Sequence, residues 1–309
     1  YLIEAIEEAV KIGKESAVGV IISHLKVMGK HNEGLSEKAL EIINKANKKG
    51  LMVSGDVYPY KSGCTYIPAL FPVDIVKGGF KKAKERVKEY ISSNRLHVLE
   101  KSMFRSTPQW VSLLKSAGYE GILVLSSPSC PNAENKTIRE YSEELGTEPI
   151  NVLTDLFIRD DVNCLIAMFT NTKSDMIKFI ENPYVMFGSD GITIDENTVM
   201  HPRTTGTFPK IIRKYVTEEG LLTLEEAIRK MTSFTCERIG IKNKGVIKEG
   251  YDADIVIFDI DEITDNSDYL KPCKKSTGIK YVIVNGKIKY INGKVTDEIS
   301  GKVIKKIKR

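Results

Sequence analysis

Residues 35–60, LSEKALEIINKANKKGLMVSGDVYPY, contain a helix pattern followed directly by a strand pattern. The first part, 35–50, is amphipathic and ends at Gly50, a residue type that is common at helix C-termini. The second part, 51–60, is a short apolar run that opens into a loop containing Pro59. This stretch therefore predicts one helix-to-strand unit of an α/β fold, with polar residues where the strand ends.

The same unit occurs at three other places along the chain. Each copy is a helix pattern followed by an apolar strand pattern, and the copies lie at 3–24, 150–170 and 172–190. Apolar strands that alternate with amphipathic helices are typical of a parallel sheet whose two faces are covered by helices. We therefore predict that all four strands belong to one parallel sheet.

An open doubly wound sheet and a closed (β/α)8 TIM-type barrel both produce this alternation. No GxGxxG turn follows a strand, which disfavours a dinucleotide-binding open sheet. Barrel enzymes place their active sites at the C-terminal ends of the strands. Polar side chains follow the predicted strands at Ser23, His24, Asp56, Tyr58, Thr170, Asn171, Ser189 and Asp190. We therefore predict the C-terminal part of a barrel, with about half of the strands upstream of Tyr1.

Two segments depart from the alternation. Residues 66–125 contain a charged helix pattern and a strand-like HVLEKSMF at 97–104, and they are too long for an ordinary loop. They predict an insertion, either a lid over the site or a surface excursion. Beyond 241, short strand patterns joined by Asn-Gly turns predict the hairpins of a small antiparallel module. The predicted domains are 1–240, with the insertion, and 241–309.

Charge and cysteine content narrow the class of protein. The net charge is +5, and the lysines are scattered, so we expect no nucleic-acid partner; the basic run at 302–309 is interpreted as a solvated tail. No apolar stretch reaches ~18 residues, which predicts no membrane span. The five cysteines are far apart and form no CxxC pair, which favours a reducing, cytoplasmic setting over a disulfide framework or a structural zinc site.

His24 and Asp190 are the strongest candidates for catalysis. His24 closes an apolar strand in the segment SHLK, and Asp190 follows another strand in GSDG. Imidazole and carboxylate are the groups that a hydrolytic zinc site requires. The alternative is structural, a hydrogen-bonded histidine at a strand end and a turn or helix-capping aspartate. Their common location at strand ends favours the catalytic interpretation.

Two neighbouring loops carry candidates for substrate binding. Arg203, in HPRTTGTFP at 201–209, can hold a substrate carboxylate through two N–H groups or form a salt bridge within the protein. Tyr58 and Tyr60 flank Pro59 in DVYPY. Their hydroxyl groups either face the pocket or complete the core, and the sequence leaves both possibilities open.

Five segments together resemble the N-acyl-D-amino-acid deacylases, the D-aminoacylase family of the amidohydrolase superfamily. They are SHLKVMGK at 23–30, DVYPYKSGCT at 56–65, VMFGSDG at 185–191, HPRTTGTFPK at 201–210 and GVIKEGYDADIVIFD at 245–259. The segments follow the order of the family and span nearly the whole chain, although the last one alone is typical only of the superfamily. The resemblance implies a metal-dependent-hydrolase barrel and a small β-sandwich built from both chain ends, of which only the C-terminal share is present.

The resemblance also implies roles for individual residues. His24 corresponds to a zinc ligand, and Asp190 corresponds to the aspartate at the metal site that transfers the proton. Lys26 corresponds to a lysine near the substrate, and Tyr58 and Arg203 correspond to residues that hold the carboxylate of the N-acyl amino acid.

Other positions depart from the family or fall outside the chain. Cys64 occupies a substrate-binding position where the family usually has serine. The His-x-His of the first strand, the cysteine ligand and the second zinc histidine are expected to precede Tyr1. Because a zinc site needs about three protein ligands, we expect the chain as given to hold zinc weakly and to be inactive.

The expected function of the complete protein is zinc-dependent removal of the acyl group from N-acyl-D-amino acids. A cyclic amidohydrolase of the hydantoinase or dihydroorotase kind is the alternative within enzymes, although those proteins lack the HPR loop in this form. A barrel relative that lost its metal and serves as a scaffold is the alternative outside enzymes.

Overall fold

A computed structural model of the chain describes residues 1–107, 110–192 and 200–305. Its α-helices are α1 Leu2–Ser16, α2 Leu35–Lys48, α3 Val73–Val76, α4 Phe80–Ser92, α5 Leu96–Met103, α6 Leu113–Ala117, α7 Ile138–Glu144, α8 Pro149–Asp160, α9 Lys173–Glu181, α10 Arg203–Lys210, α11 Leu224–Met231 and α12 Ser233–Ile239. Its strands are β1 Val20–Ile22, β2 Val53–Val57, β3 Ser62–Tyr66, β4 Ile122–Ser126, β5 Leu165–Phe169, β6 Val185–Phe187, β7 Ile255–Phe258, β8 Ile279–Val284, β9 Lys287–Ile291 and β10 Lys294–Val295.

A parallel sheet with the order β1-β2-β6 forms the base of the candidate site. Strand β2 lies in the centre, with Val20 opposite Val53 on one side and Met186 opposite Asp56 on the other. Its core includes residues of α1, α2, α9 and α11, such as Ile43. Three of the four predicted helix-to-strand units are therefore confirmed, and their strand ends share one edge of the sheet.

The fourth predicted strand does not join this sheet. Strand β5 lies between β3 and β4 in a separate sheet and runs antiparallel to both, with Ser62 opposite Phe169. The prediction that 162–170 supplies a parallel strand was therefore wrong. This second sheet has its own core, which extends from Ile67 to Met168 and is distinct from the core of the parallel sheet.

The strand-like segment at 97–104 is helical. Helix α5 covers Leu96–Met103, and its fully buried residues are Leu99 and Met103. Residues four positions apart lie on the same face of a helix, so both side chains reach the core from one side. The predicted insertion at 66–125 lies within this second body, and its role as a lid stays a prediction.

The C-terminal region forms a four-stranded antiparallel sheet with the order β10-β9-β8-β7. Two Asn-Gly pairs join its last three strands, and both residues of each pair have positive φ, 49° and 76° at Asn285 and Gly286 and 43° and 92° at Asn292 and Gly293. Positive φ at both central residues is characteristic of type I′ hairpins, which confirms the predicted hairpin turns. The described residues provide one layer of the expected sandwich. The division of the chain into domains 1–240 and 241–309 stays a prediction.

The structure describes the C-terminal tail only as far as residue 305. The last four residues of the predicted basic tail, 306–309, lie outside the described residues. No helix within the described ranges is long and apolar enough to cross a membrane.

Candidate active site

The candidate site lies at the C-terminal edge of the parallel sheet. His24 follows β1, Asp56 and Tyr58 stand at the end of the central strand β2, and Asp190 follows β6. Because the three strands are parallel, their carboxyl ends meet at the same edge. The sheet order thus brings together the strand ends that carry His24, Tyr58 and Asp190, three of the predicted site residues.

The backbones of His24 and Asp190 share an uncommon conformation. Their φ values are 43° and 48°, in the left-handed region that residues with a side chain rarely occupy. The backbone N–H of His24 donates to Oδ1 of Asp56 at 2.9 Å, which fixes the turn after β1 to the central strand. Strained backbone of this kind is concentrated at functional sites, where the surrounding structure holds it in place.

Asp190 and Arg203 form an ion pair. Nη1 of Arg203 lies 2.8 Å from Oδ2 of Asp190, and the arginine side chain is only 5% exposed whereas that of Asp190 is 37% exposed. The guanidinium also lies over the ring of Tyr58, 4.7 Å from its centroid. Arg203 thus forms a salt bridge within the protein, and its partner is the candidate catalytic carboxylate itself.

Tyr58 brings an unused hydroxyl group to the site. The side chain is buried, and within the described ranges its hydroxyl makes no hydrogen bond. Burial raises the pKa of Tyr58 to about 12, although the nearby Arg203 guanidinium lowers the pKa of the phenol in part. A buried donor without an acceptor is costly, so this hydroxyl is suited to an acceptor that arrives with a ligand.

Lys26 adds a second cation beside the same ring. Its Nζ lies 5.3 Å from the centroid of Tyr58. Burial lowers the pKa of Lys26 to about 8, an effect that the carboxylate of Asp190 opposes and the charge of Arg203 reinforces. The site therefore combines two largely desolvated cationic groups with the carboxylates of Asp190 and Asp56. Both cations lie beside the ring of Tyr58 and can bind an anionic group.

Cys64 lies on β3, near the site but not on the parallel sheet. Burial raises the pKa of Cys64 to about 11, and the Arg203 charge opposes this shift. Its thiol is consequently protonated at neutral pH and can act only as a weak donor or as an apolar contact.

A histidine to which the sequence analysis assigned no role forms a hydrogen bond with the backbone of Arg203. His201 is 2% exposed, and its Nδ1 accepts the backbone N–H of Arg203 at 3.0 Å. Its Nε2 lies 2.7 Å from Oγ of Ser62, which in turn contacts the hydroxyl of Tyr269. His201 is the first residue of the HPR segment, and that segment was a signal for it. Nothing in the sequence connected Tyr269 with Ser62, which lies 207 positions away.

The donor types for a metal are present in part. The imidazole of His24 is exposed and Asp190 offers a carboxylate at the same sheet edge, and Asp56 lies near enough to both residues for their charges to act on it. Across 1–107, 110–192 and 200–305, no three histidine, cysteine or acidic side chains form a cluster that could hold a metal ion. The described residues thus provide two candidate ligands and no complete set.

Comparisons with known proteins agree with this geometry. The model of the amidohydrolase family matches residues 179–290. A D-aminoacylase of Alcaligenes xylosoxydans xylosoxydans is 29% identical over 304 residues, which cover 98% of this chain and 52% of the relative. A crystal structure of a D-aminoacylase superposes with a TM-score of 0.74 and 28% identity over 97% of this chain and 52% of that chain. The chain is similar to the D-aminoacylases over nearly its whole length. The predicted family resemblance and the barrel-type fold class are thereby confirmed.

Two further relatives widen the comparison. An N-acyl-D-aspartate deacylase of the same Alcaligenes is 27% identical over 98% of this chain and 51% of its own length. The N-acyl-D-glutamate deacylase of Bordetella bronchiseptica, solved with zinc and a phosphonate mimic of the tetrahedral intermediate, shares the fold with a TM-score of 0.72 at 24% identity over 94% of this chain and 51% of that chain. The chain spans about half the length of the curated relatives it matches.

Proposed function

We propose that the complete protein is a zinc-dependent deacylase that converts N-acyl-D-amino acids into a carboxylate and a D-amino acid. The observation that carries the proposal is the pair of Asp190 and Arg203 beside the unpartnered hydroxyl of Tyr58. This arrangement places a group that can move a proton next to groups that bind an anion. The names of the homologues, a D-aminoacylase and an N-acyl-D-aspartate deacylase, support the substrate class.

Arg203, Tyr58 and Lys26 would bind the carboxylate of the substrate. A guanidinium has five N–H donors, more than the contact with the single carboxylate of Asp190 can occupy, so donors are left for a ligand. The phenol of Tyr58 donates a further hydrogen bond, and Lys26 adds positive charge from the other loop. Fixing the carboxylate holds the amide of the substrate at one distance from Asp190, which turns binding energy into orientation.

His24 and Asp190 are the residues that would hold zinc, together with ligands from the rest of the protein. An imidazole and a carboxylate are ligand types that zinc accepts, and both stand at the sheet edge where the substrate groups are found. When bound, zinc lowers the pKa of a water molecule towards about 7 and polarises the acyl carbonyl.

Asp190 would carry the proton through the reaction. Its carboxylate accepts a proton from the attacking water as the water oxygen forms a bond with the acyl carbon. The same carboxyl group then gives that proton to the amide nitrogen while the carbon–nitrogen bond breaks. The amino acid leaves with a neutral amine, and Asp190 returns to its starting state.

The experiment compares the full-length protein with its Asp190→Asn variant on N-acetyl-D-amino acids, their L-enantiomers and hydantoins. We expect hydrolysis of the D-substrates by the wild type and a loss of roughly 10²–10⁴-fold in kcat for the variant, because asparagine cannot accept the proton. Zinc content, measured by elemental analysis, should be nearly unchanged. Asp74→Asn, which alters an exposed aspartate on α3, is the matched control and should retain activity.

Each result on the panel decides a separate point. Activity on hydantoins alone would reject deacylation and support a cyclic amidohydrolase. A wild type without any hydrolytic activity or zinc would support the scaffold alternative. Full turnover by Asp190→Asn would reject the role of Asp190 while leaving the reaction class in place.

We also propose a reducing, cytoplasmic location for the protein. Cys64, Cys130, Cys164 and Cys236 are free thiols, as expected where disulfides do not persist. Fractionation of the native cells tests the location, and recovery of the protein with the secreted fraction would reject it.

A further inference from the structure

His201 occupies a position from which it can control Arg203. Arg203 is the first residue of α10, so its backbone N–H has no acceptor within the helix. Nδ1 of His201 accepts that N–H at 3.0 Å and thereby caps the helix. The position of the imidazole ring thus sets the position from which the Arg203 side chain extends towards Asp190.

The hydrogen bonds of His201 define its tautomer. Because Nδ1 accepts from Arg203, the proton of the neutral ring is on Nε2, which donates to Oγ of Ser62 at 2.7 Å. Burial, reinforced by the Arg203 charge, lowers the pKa of His201 to about 3, so the ring stays neutral at physiological pH. Each ring nitrogen therefore has one partner and one role.

Two tyrosines hold the imidazole between them. The rings of Tyr60 and Tyr269 meet the imidazole edge to face, with centroids at 5.2 and 5.3 Å and interplanar angles of 84° in both pairs. The hydroxyl of Tyr269 also contacts Oγ of Ser62, the acceptor for His201. Tyr269 lies between β7 and β8, so the C-terminal module completes the support of the ring.

Gly206 permits this close approach. A Cβ atom at this position would lie 2.5 Å from Oγ of Ser267 and 2.6 Å from the hydroxyl of Tyr60. A side chain at this position would therefore require the hydroxyl groups of Ser267 and Tyr60 to shift. Glycine thus lets α10 approach Tyr60 and Ser267 closely, next to the residues that contact His201.

We propose that His201 is a positioning residue for the substrate carboxylate, fixed by Ser62 and Tyr269 and acting through the backbone of Arg203. This inference rests on the proposed function, because it concerns the same substrate. It assigns the C-terminal module a part in substrate binding through Tyr269. The proton transfer at the scissile amide stays with Asp190, and His201 acts mainly on the binding of the carboxylate, through Arg203.

The test uses variants of the full-length protein that separate the two ring nitrogens. In His201→Asn the amide oxygen can replace Nδ1, but the contact with Ser62 is lost; in His201→Gln the amide nitrogen can replace Nε2, but the acceptor for Arg203 is lost. Tyr269→Phe and Ser62→Ala remove only hydroxyl groups. Ser142→Ala, which removes a buried hydroxyl on α7, is the matched control.

We expect KM for an N-acetyl-D-amino acid to rise roughly tenfold in His201→Gln, which loses the acceptor for Arg203, and by a smaller factor in His201→Asn, with kcat changed far less in both variants. Preference for the free acid over the corresponding carboxamide should fall by a similar factor, because Arg203 is no longer directed at the carboxylate. Ser62→Ala should add no further loss in the His201→Asn background, where its partner is already gone. Unchanged KM and unchanged preference for the acid, in variants with wild-type unfolding midpoints, would overturn the proposal.

A second measurement does not depend on turnover. Exchange of the Arg203 backbone amide, followed by NMR, should accelerate about tenfold in His201→Gln and stay unchanged in Ser142→Ala. If the wild type hydrolyses no substrate on the panel, the proposed function fails, and this exchange rate alone decides whether His201 positions Arg203. An exchange rate equal to that of the wild type would reject the inference in either case.

Discussion

Lys230 is a charged residue in a fully buried position next to Phe187 of β6, the strand that Asp190 follows. Its Nζ donates to the carbonyl oxygen of Ile180 near the end of α9 and lies 5.2 Å from the ring centroid of Phe187. Burial lowers the pKa of Lys230 from 10.5 to about 8, and the weaker influence of Glu226 opposes the shift. The charged form of Lys230 therefore destabilises the folded state at neutral pH.

We predict that Lys230→Met removes a specific pH dependence of stability. The folded-state pKa of about 8 lies below the unfolded value of 10.5, so the unfolded chain binds more protons between these two pH values. The unfolding free energy of the wild type should consequently rise by about 3 kcal/mol between pH 8 and pH 10.5. Below pH 8 the destabilisation by the buried charge of Lys230 is fully present. Methionine does not titrate, so this rise should be absent from the variant.

Urea unfolding of the full-length protein at pH 7, 8, 9 and 10 measures the effect. The relevant quantity is the difference in unfolding free energy between wild type and Lys230→Met at each pH. Lys88→Met, an exposed lysine on α4, is the control and should show a constant difference. A constant difference for Lys230→Met as well would contradict the prediction.

At the scale of residues, sequence position relative to the strand ends sufficed to identify the candidates on the parallel sheet. His24 and Asp190 follow parallel strands, and parallel strands necessarily end at one edge. Tyr269 could not be identified in this way, because its contact with Ser62 depends on how the C-terminal module packs on α10. Contacts of this kind leave no periodic signal in the sequence.

Asp175 links the beginnings of two helices. It lies in the first turn of α9, and its carboxylate accepts the backbone N–H groups of Gly34 and Ser36 at the start of α2. It also accepts hydrogen bonds from the hydroxyl groups of Ser36 and Thr172. The side chain is 1% exposed. Burial alone would raise the pKa of Asp175, but the hydrogen bonds from Ser36 and Thr172 outweigh burial and lower the pKa. The carboxylate thus caps α2, and the Thr172 hydroxyl that donates to this carboxylate caps α9.

We predict that Asp175→Asn destabilises the protein by about 3 kcal/mol, since the new amide group directs N–H donors at backbone N–H donors in a buried position. Ser36→Ala, which removes one of the donors, should cost about 1 kcal/mol. Asp155→Asn breaks an exposed pair with Arg159 and should change stability by less than about 0.5 kcal/mol. Denaturant unfolding of the three variants provides the comparison, and equal midpoints for Asp175→Asn and Asp155→Asn would refute the capping role.

At the scale of elements, the sequence predicted which segments are helical or extended better than it predicted which strands pair with one another and in which direction. The run LIAMF of β5 is apolar on both faces, which is equally compatible with a parallel strand and with the centre of an antiparallel sheet. The helix α5 was missed because its segment is short, although the spacing of Leu99 and Met103 was helical. Sheet direction depends on distant pairing that a local pattern does not contain.

On the scale of the whole molecule, one extended segment joins the C-terminal module to the site. Asp265, Ser267 and Tyr269 alternate along the chain, and all three contact residues of the barrel part or its loops. Asp265 is paired with Arg213 through Nε and Nη2, both at 2.8 Å, and its other oxygen lies 3.5 Å from Nζ of Lys210. Side chains that alternate along an extended chain point to one face, so the whole segment docks through a single side.

The docking segment leads to a prediction about coupling between the module and the site. The side chain of Asp265 is only 4% exposed, so Asp265→Asn leaves two partly buried cations without their shared carboxylate and should destabilise the protein by about 3 kcal/mol. Loosening this segment also releases Tyr269 from Ser62, and KM for the N-acyl amino acid should rise along with the loss of stability. Asp261→Asn, an exposed aspartate before the same segment, should alter neither quantity. Unfolding midpoints and KM measured together on the full-length variants test the coupling. A lower midpoint with an unchanged KM would show that the module stabilises the fold without influencing the site.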